Sequence, residues 1–263
     1  MSKRVFVVTG GSSGIGLAVI KKLTGDPSHH VFSFSRSKEK IERAMLDLEK
    51  VPENLEFIEG DVCNEADCQR FYEKLKENHH FIYGLVNAAG VLTKGGIENI
   101  TYSQWKYNLD VNLNGPYIFT KSLLPMIKAA KGASIVNVSS IASMRPGRSV
   151  AYSVSKAGLD MLTAYLAGEL APYKIRVNSV NPGFIKTNIH IDNQIVTTSN
   201  EYKTLVSETA SKNPLGRAGE ANEVADLILF LLNDKSSWIT GSIFKIDGGT
   251  LIENDFLPIQ KKP

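Results

Sequence analysis

Along most of the chain, short runs rich in β-branched residues alternate with longer stretches whose apolar positions recur at helical spacing. The strand-like runs are residues 5–9, 31–35, 55–59, 82–87, 134–139, 176–180 and 242–247. Between them, residues 15–23, 38–50, 66–76 and 223–232 carry amphipathic patterns. This alternation predicts βαβ units: an α/β, doubly wound parallel sheet of about seven strands with helices on both faces.

Thr101 followed by Gln104 reads as a capping box, which predicts a helix from there through Asn112 towards Met126. Pro116 and Pro125 fall within or near its end and are expected to kink it. Asn181-Pro182-Gly183 closes a strand into a turn. Residues 184–213 then break the alternation. Long, polar and weakly periodic, they read as a substrate lid. No repeat or composition shift marks a second domain. Residues 1–250 are therefore expected to form one domain, and residues 251–263 a tail.

Composition narrows the function classes. The 263 residues are 43% hydrophobic and 22% charged, an ordinary globular balance. A formal net charge of +3, with Lys and Arg scattered, gives no reason to expect nucleic acid or a membrane surface as partner. No apolar run approaches the roughly 20 residues that span a bilayer. The apolar stretch near the N-terminus is short and ends in glycines, so it reads as a first strand rather than a signal peptide. Cys63 and Cys68 suggest neither a disulfide framework nor a structural zinc site. A cytoplasmic protein without metal is expected.

The first strand runs into Thr9-Gly10-Gly11-Ser12-Ser13-Gly14-Ile15-Gly16. Glycines permit the sharp turn and let backbone N–H groups approach a phosphate. The helix that follows aims its N-terminal partial charge at the same place. Strand before and helix after, at the head of a βαβ series, make this a dinucleotide-binding turn of Rossmann type.

The spacing is Gly-x-x-x-Gly-x-Gly, which resembles the short-chain dehydrogenase/reductase family. Asn87-Ala88-Ala89-Gly90, Asn112 within Val-Asn-Leu-Asn-Gly, Ser140 after Val-Asn-Val-Ser, Tyr152-Ser-Val-Ser-Lys156, Pro182-Gly183-x-x-x-Thr187 and Asp247-Gly248-Gly249 extend the resemblance nearly end to end. It implies catalytic roles for Asn112, Ser140, Tyr152 and Lys156. It also implies nicotinamide-cofactor contacts by Gly10, Ser12, Ser13, Gly14, Ile15, Gly16, Arg36, Asp61, Val62, Asn87, Ala88, Gly90, Tyr152, Lys156, Pro182, Gly183, Ile185 and Thr187. Within that set Asp61 would accept from the adenine amino group. Asn87 would steady the strand end beside the cofactor. Thr187 and the Ile185 backbone would hold the carboxamide, and Lys156 the nicotinamide ribose. Asn112 would hold a water that passes protons to Lys156.

Carbonyl reduction needs a hydride at carbon and a proton at oxygen, and an acid with a pKa near the working pH serves best. Free tyrosine, at about 10, is too weak. Tyr152 and Lys156 stand four apart on one helix face. A positive charge about 4 Å away, at an effective dielectric near 20, is worth about 4 kcal/mol. That would lower a tyrosine pKa by up to roughly three units. Tyr72/Lys76, Tyr102/Lys106 and Tyr117/Lys121 repeat the spacing and read as helix surface pairs. Only Tyr152 follows a strand that ends in a serine pair, and ligands collect at the carboxyl ends of strands in open α/β sheets. Ser140 would stabilise charge on the substrate oxygen; Ser139 competes for that role, and the motif alignment favours Ser140.

In the resembled family the end of the second strand separates the cofactors. Here it reads Ser33-Phe34-Ser35-Arg36-Ser37, with Lys38 and Lys40 following. Arginine's fork of donors suits a 2′-phosphate, so NADP(H) is expected over NAD(H). The expected activity is hydride transfer between nicotinamide and a small-molecule carbonyl or secondary alcohol. The alternatives are a catalytically silent dinucleotide sensor or scaffold, and an NAD(H)-preferring dehydrogenase. Arg145 or Arg148 could meet an anionic substrate group. The resemblance implies a homotetramer or homodimer built on the helices that carry Asn112 and Tyr152, where Leu159, Met161, Leu162, Tyr165 and Leu166 exceed one core-facing stripe.

Overall fold

The computed structural model describes residues 3–147, 149–211 and 213–252. Arg148 and the tail beyond Ile252 lie outside the described residues. The strands, in chain order, are β1 (Arg4–Thr9), β2 (His29–Ser35), β3 (Leu55–Glu59), β4 (Gly84–Asn87), β5 (Ser134–Val138), β6 (Arg176–Pro182), β7 (Ile185–Lys186), β8 (Gly219–Glu220) and β9 (Ile243–Ile246). Seven of them form one parallel sheet in the order β3-β2-β1-β4-β5-β6-β9, while β7 and β8 pair with each other. The helices are α1 (Gly14–Leu23), α2 (Lys38–Asp47), α3 (Glu65–Asn78), α4 (Tyr102–Leu109), α5 (Gly115–Ala129), α6 (Val150–Leu170), α7 (Ile189–Asp192), α8 (Ser199–Ser211) and α9 (Ala221–Leu232).

Side chains alternate across a strand, and both faces of this sheet are covered. On β1, Val5 and Val7 join one buried cluster with Phe34, Phe71, Phe119 and Leu123. Phe6 and Val8 join the other, with Val19 and Ile20 of α1 and Val224 and Ile228 of α9. The rings of Phe34 and Phe119 stack at 4.8 Å. Because β1 pairs with both β2 and β4, the connections after β1 and β4 leave in opposite directions. A crevice opens at that switch point.

Three segments depart from the expected elements. Ile82 lies outside β4, since its N–H goes to Met126 O at 3.1 Å. The helix expected from Thr101 towards Met126 is interrupted: residues Asp110–Asn114 form a π turn, and the Gly115 N–H reaches back five residues to Asp110 O. Pro116 explains the break. It has no N–H for the Asn112 carbonyl, and in an α-helix its ring would press on that carbonyl. Pro125, by contrast, stays inside α5. Finally, the weakly periodic stretch 184–213 holds β7, α7 and α8. Apolar periodicity missed α8 because none of its residues is buried. Its start was nevertheless written as Thr198-x-x-Glu201: Thr198 Oγ1 accepts from Glu201 N at 3.2 Å and Glu201 Oε2 from Thr198 N at 3.1 Å.

Candidate active site

The turn after β1 is built for close approach. Gly10 has φ +66°, and a Cβ there would lie 2.8 Å from the Ala89 backbone. A Cβ on Gly16 would collide with the Gly10 carbonyl, so α1 lies against the turn only because that residue is glycine. Thr9 Oγ1 accepts from the Ala88 and Ala89 N–H groups, both at 3.1 Å, and ties the ends of β1 and β4 together. The side chains of Ser37, Asn64, Thr101 and Ser149 cap α2, α3, α4 and α6. Ser13, at the N-cap of α1, makes no side-chain cap bond. The first N–H groups of α1 thus face the crevice without a capping oxygen, which suits a phosphate.

The crevice encloses about 470 Å³, within the range of cofactor and small-molecule sites, about 300–1,000 Å³. All the sequence-predicted cofactor contacts line it except Asn87. Asn87 is buried below the wall, its Nδ2 donating to Asn137 Oδ1 at 2.8 Å and Thr120 Oγ1 at 3.2 Å. It steadies β4 against β5 and α5 rather than facing the crevice. Ser140, Tyr152 and Lys156 line the crevice; Asn112 does not.

Ser149 caps the N–H of Tyr152 at 3.2 Å, which fixes the tyrosine in the first turn of α6. Its phenol lies beside Ser140. Ser139 is turned away: its Oγ donates to Lys156 O at 3.1 Å. The ammonium of Lys156, 3% exposed, donates to Val138 O at 2.8 Å and lies 5.7 Å from the centre of the Tyr152 ring. The expected lowering of the Tyr152 pKa is not what this arrangement produces. Burial pushes the phenol up, with the neighbouring Ser140 opposing it, and burial pulls Lys156 down to about 8. The physical reason is that both groups are withdrawn from water while the ammonium bonds the Val138 carbonyl.

Asn112 sits in the π turn with its amide engaged. Nδ2 donates to Val91 O at 2.9 Å and Ser155 Oγ at 3.1 Å, and Oδ1 accepts from Val91 N at 2.9 Å. It therefore pins the connection after β4 to α6.

At the far end of the crevice, Arg36 Nη2 donates to the Tyr107 hydroxyl at 2.9 Å and Nη1 lies 3.6 Å from Asp61. Asp61 also accepts from the Cys63 N–H at 2.9 Å. Lys40 pairs with Asp192 at 2.6 Å, a contact that reaches from α2 to α7. Asn193 Oδ1 accepts from Leu92 N at 3.3 Å on the other side. Tyr107, Asp192 and Asn193 were not anticipated. Asp192 had one signal, as the only carboxylate between Phe184 and Asn200. Elsewhere on the crevice wall, His190 and Phe184 pack with ring centres 5.0 Å apart. Burial lowers the His190 pKa and so favours the neutral imidazole. Arg145 is exposed to solvent.

The sequence model of a family described as enoyl-(acyl carrier protein) reductase matches residues 10–250. A 3-oxoacyl-[acyl-carrier-protein] reductase, FabG, of Thermotoga maritima is 34% identical over 252 residues, covering 95% of this chain and 98% of that protein. A solved short-chain dehydrogenase family protein from Francisella tularensis superposes with a TM-score of 0.83 at 32% identity, covering 96% of this chain and all of the other. The chain belongs to the short-chain dehydrogenase/reductase family. Among its relatives is a cyclopentanol dehydrogenase of Comamonas, 32% identical over 252 residues, 95% of this chain and 97% of that protein. This short-chain dehydrogenase is thus an oxidoreductase of CH–OH carbons that uses a nicotinamide cofactor. The glycine cradle and the uncapped α1 terminus fit that dinucleotide. Among the described residues, no helix is long and apolar enough to cross a membrane.

Proposed function

We propose that this chain reduces a ketone, or oxidises the matching secondary alcohol, with NADP(H), and that Tyr152 handles the proton. The observation that carries the reading is the setting of one Tyr-Lys pair. Tyr152 lines the crevice beside Ser140, one helical turn before a lysine with almost no exposure. The nicotinamide, when bound, supplies or takes the hydride. Ser140 Oγ and the Tyr152 hydroxyl meet at the substrate oxygen. Tyr152 protonates that oxygen as charge develops on it, and the Lys156 ammonium stabilises the tyrosinate left behind. Asn112 Oδ1 keeps one lone pair free after its bond to Val91. A Cβ on Gly90 would lie 3.4 Å from that oxygen and 3.7 Å from Lys156 Nζ. The tyrosinate would recover its proton from Lys156, and a water linking Asn112 Oδ1 to that lysine would replace the proton that the lysine gives up.

Arg36 and Lys40, with Ser35 and Ser37, support the preference for a 2′-phosphate. Asp61 and Asp192 partner these cations and would be released as the phosphate takes their place. Ile141, Leu92 and Phe184 give the substrate end an apolar wall, and the names of the FabG and cyclopentanol relatives support a ketone or secondary alcohol. Two unpaired thiols, Cys63 and Cys68, support a cytoplasmic setting. A panel of cyclic ketones, sugars, steroids and acyl thioesters, followed by loss of reduced-nicotinamide absorbance, tests the activity. Turnover of none of them would overturn it in favour of a dinucleotide sensor.

We also propose a homotetramer or homodimer. Leu159 belongs to the core, but Val154, Met161 and Tyr165 leave an apolar stripe on α6, 44%, 71% and 69% exposed. Light scattering at micromolar concentration is expected to give two or four times the chain mass, and a monomer would refute this. For the lid, amides across residues 189–205 are expected to exchange fast in the free protein, since no residue of α7 or α8 is buried. They should slow when cofactor and a substrate analogue are both bound. Equal protection in the two states would remove the lid role.

A further inference from the structure

Asp160 is a carboxylate with 7% exposure whose two hydrogen-bond partners are neutral. Ser179 Oγ donates to Oδ1 at 2.9 Å and Asn181 Nδ2 to Oδ2 at 2.8 Å. A charge withdrawn from water is unfavourable unless something compensates it. On α6, Asp160 lies one turn beyond Lys156 and two beyond Tyr152, so the three share a face. Asp160 is also the charged neighbour that acts on Lys156, in the direction that keeps the ammonium protonated.

Asn181 extends the bonds from Asp160 to the turn after β5. Its Nδ2 is 3.0 Å from Ser140 O and 2.9 Å from Ser143 Oγ, and Ser143 Oγ donates to Ser140 O at 2.8 Å. Two amide hydrogens serve these three acceptors: one goes to Asp160, and the other is shared within the turn. The turn held in this way carries Ser140, which meets Tyr152.

We infer that Asp160 and Asn181 are positioning residues: the carboxylate, through Asn181, fixes the turn that aims Ser140 at the reacting oxygen, and its negative charge stabilises the Lys156 ammonium one helical turn away. The inference rests on the reading of Tyr152 and Lys156 proposed above. It assigns work to two residues that do not line the crevice but join α6, β6 and the Ser140 turn.

Asp160→Asn separates charge from geometry. Ser179 Oγ is 2.6 Å from Asn181 Oδ1, so its hydroxyl can donate there and accept from the new amide. The network survives and the charge goes. Around Lys156, α6 presents Tyr152 and Asp160. β5 and its turn present the Val138 carbonyl and the hydroxyls of Ser139 and Ser140, and the π turn presents Asn112. β6 faces Asp160 with Ser179 and Asn181, all of these uncharged. The alkaline limb of kcat/KM for reduction therefore belongs to the Tyr152–Lys156 pair. In Asp160→Asn that limb is expected to move to lower pH, with cofactor Kd unchanged. Asn181→Ala is expected to lose roughly tenfold in kcat, the scale of one hydrogen bond, with the limb in place. Ser143→Ala is expected to lose kcat in the same sense, and it decides the positioning role if Asn181→Ala does not fold.

A pH profile of Asp160→Asn that overlays the wild type would overturn the electrostatic half. Wild-type kcat in Asn181→Ala, or in Ser143→Ala should the former not fold, would overturn the positioning half. Tyr152→Phe run alongside separates the failures. If it keeps turnover, the reading of Tyr152 falls and this inference with it. If it is inactive while the Asp160 and Asn181 variants match wild type, only this inference falls.

Discussion

Tyr152→Phe is expected to lower kcat by at least about 10²-fold, the scale of general acid catalysis, with cofactor binding retained. The variant keeps the ring and its place on the crevice wall and removes only the hydroxyl that meets Ser140. The pair's own geometry does not single it out. Lys76 lies 5.7 Å from the Tyr72 ring and Lys121 5.6 Å from the Tyr117 ring, against 5.7 Å for Lys156 and Tyr152. What differs is burial: Tyr117 and Lys121 are both exposed, whereas Tyr152 is half-buried and Lys156 is 3% exposed. Tyr117→Phe should therefore leave activity within a few-fold. Steady-state kinetics on both variants decides the matter, and wild-type turnover by Tyr152→Phe would dismiss this residue as the acid.

The second large effect is expected at the other end of the crevice. Arg36→Asp removes the donor fork and sets a second carboxylate beside Asp61. Hydrogen bonds to a charged group are worth about 1.5–3 kcal/mol, so kcat/KM with NADPH should fall roughly 10- to 100-fold. NADH, whose ribose hydroxyl can donate to the new carboxylate, should lose little. The preference reverses. A wild-type protein already faster with NADH would contradict the phosphate reading before any variant is made.

Much of this was legible in the sequence because it is local. The glycine turn, the capping box at Thr101 and the Tyr-x-x-x-Lys spacing each span a few residues, and each names its own chemistry. The strand–helix alternation gave the sheet because both faces of the strands are buried. What the sequence hid depends on contact between distant positions. Arg36 meets Tyr107 across 71 residues and Lys40 meets Asp192 across 152; apart from Asp192 being the lone carboxylate of its stretch, no local pattern announces either partner. Asn112 was read as a site residue, but its partner Val91 and the π turn beneath it emerged only from the fold. α8 escaped because periodicity reports burial, and α8 buries nothing.

The π turn makes the placement of Asn112 a matter of counting as well as of identity. Each residue of an α-helix advances the chain by about 100° of rotation and 1.5 Å. Residues 110–114 let the chain take in extra length without passing that rotation on to α5. Removing one residue there would force a choice of phase. Either Phe119 and Leu123 keep facing the core and α4 turns Asn108 away from Thr93, or α4 keeps its seat and Asn112 swings off Val91. This stretch should consequently tolerate exchange of its exposed Asn114, yet not the loss of a single residue.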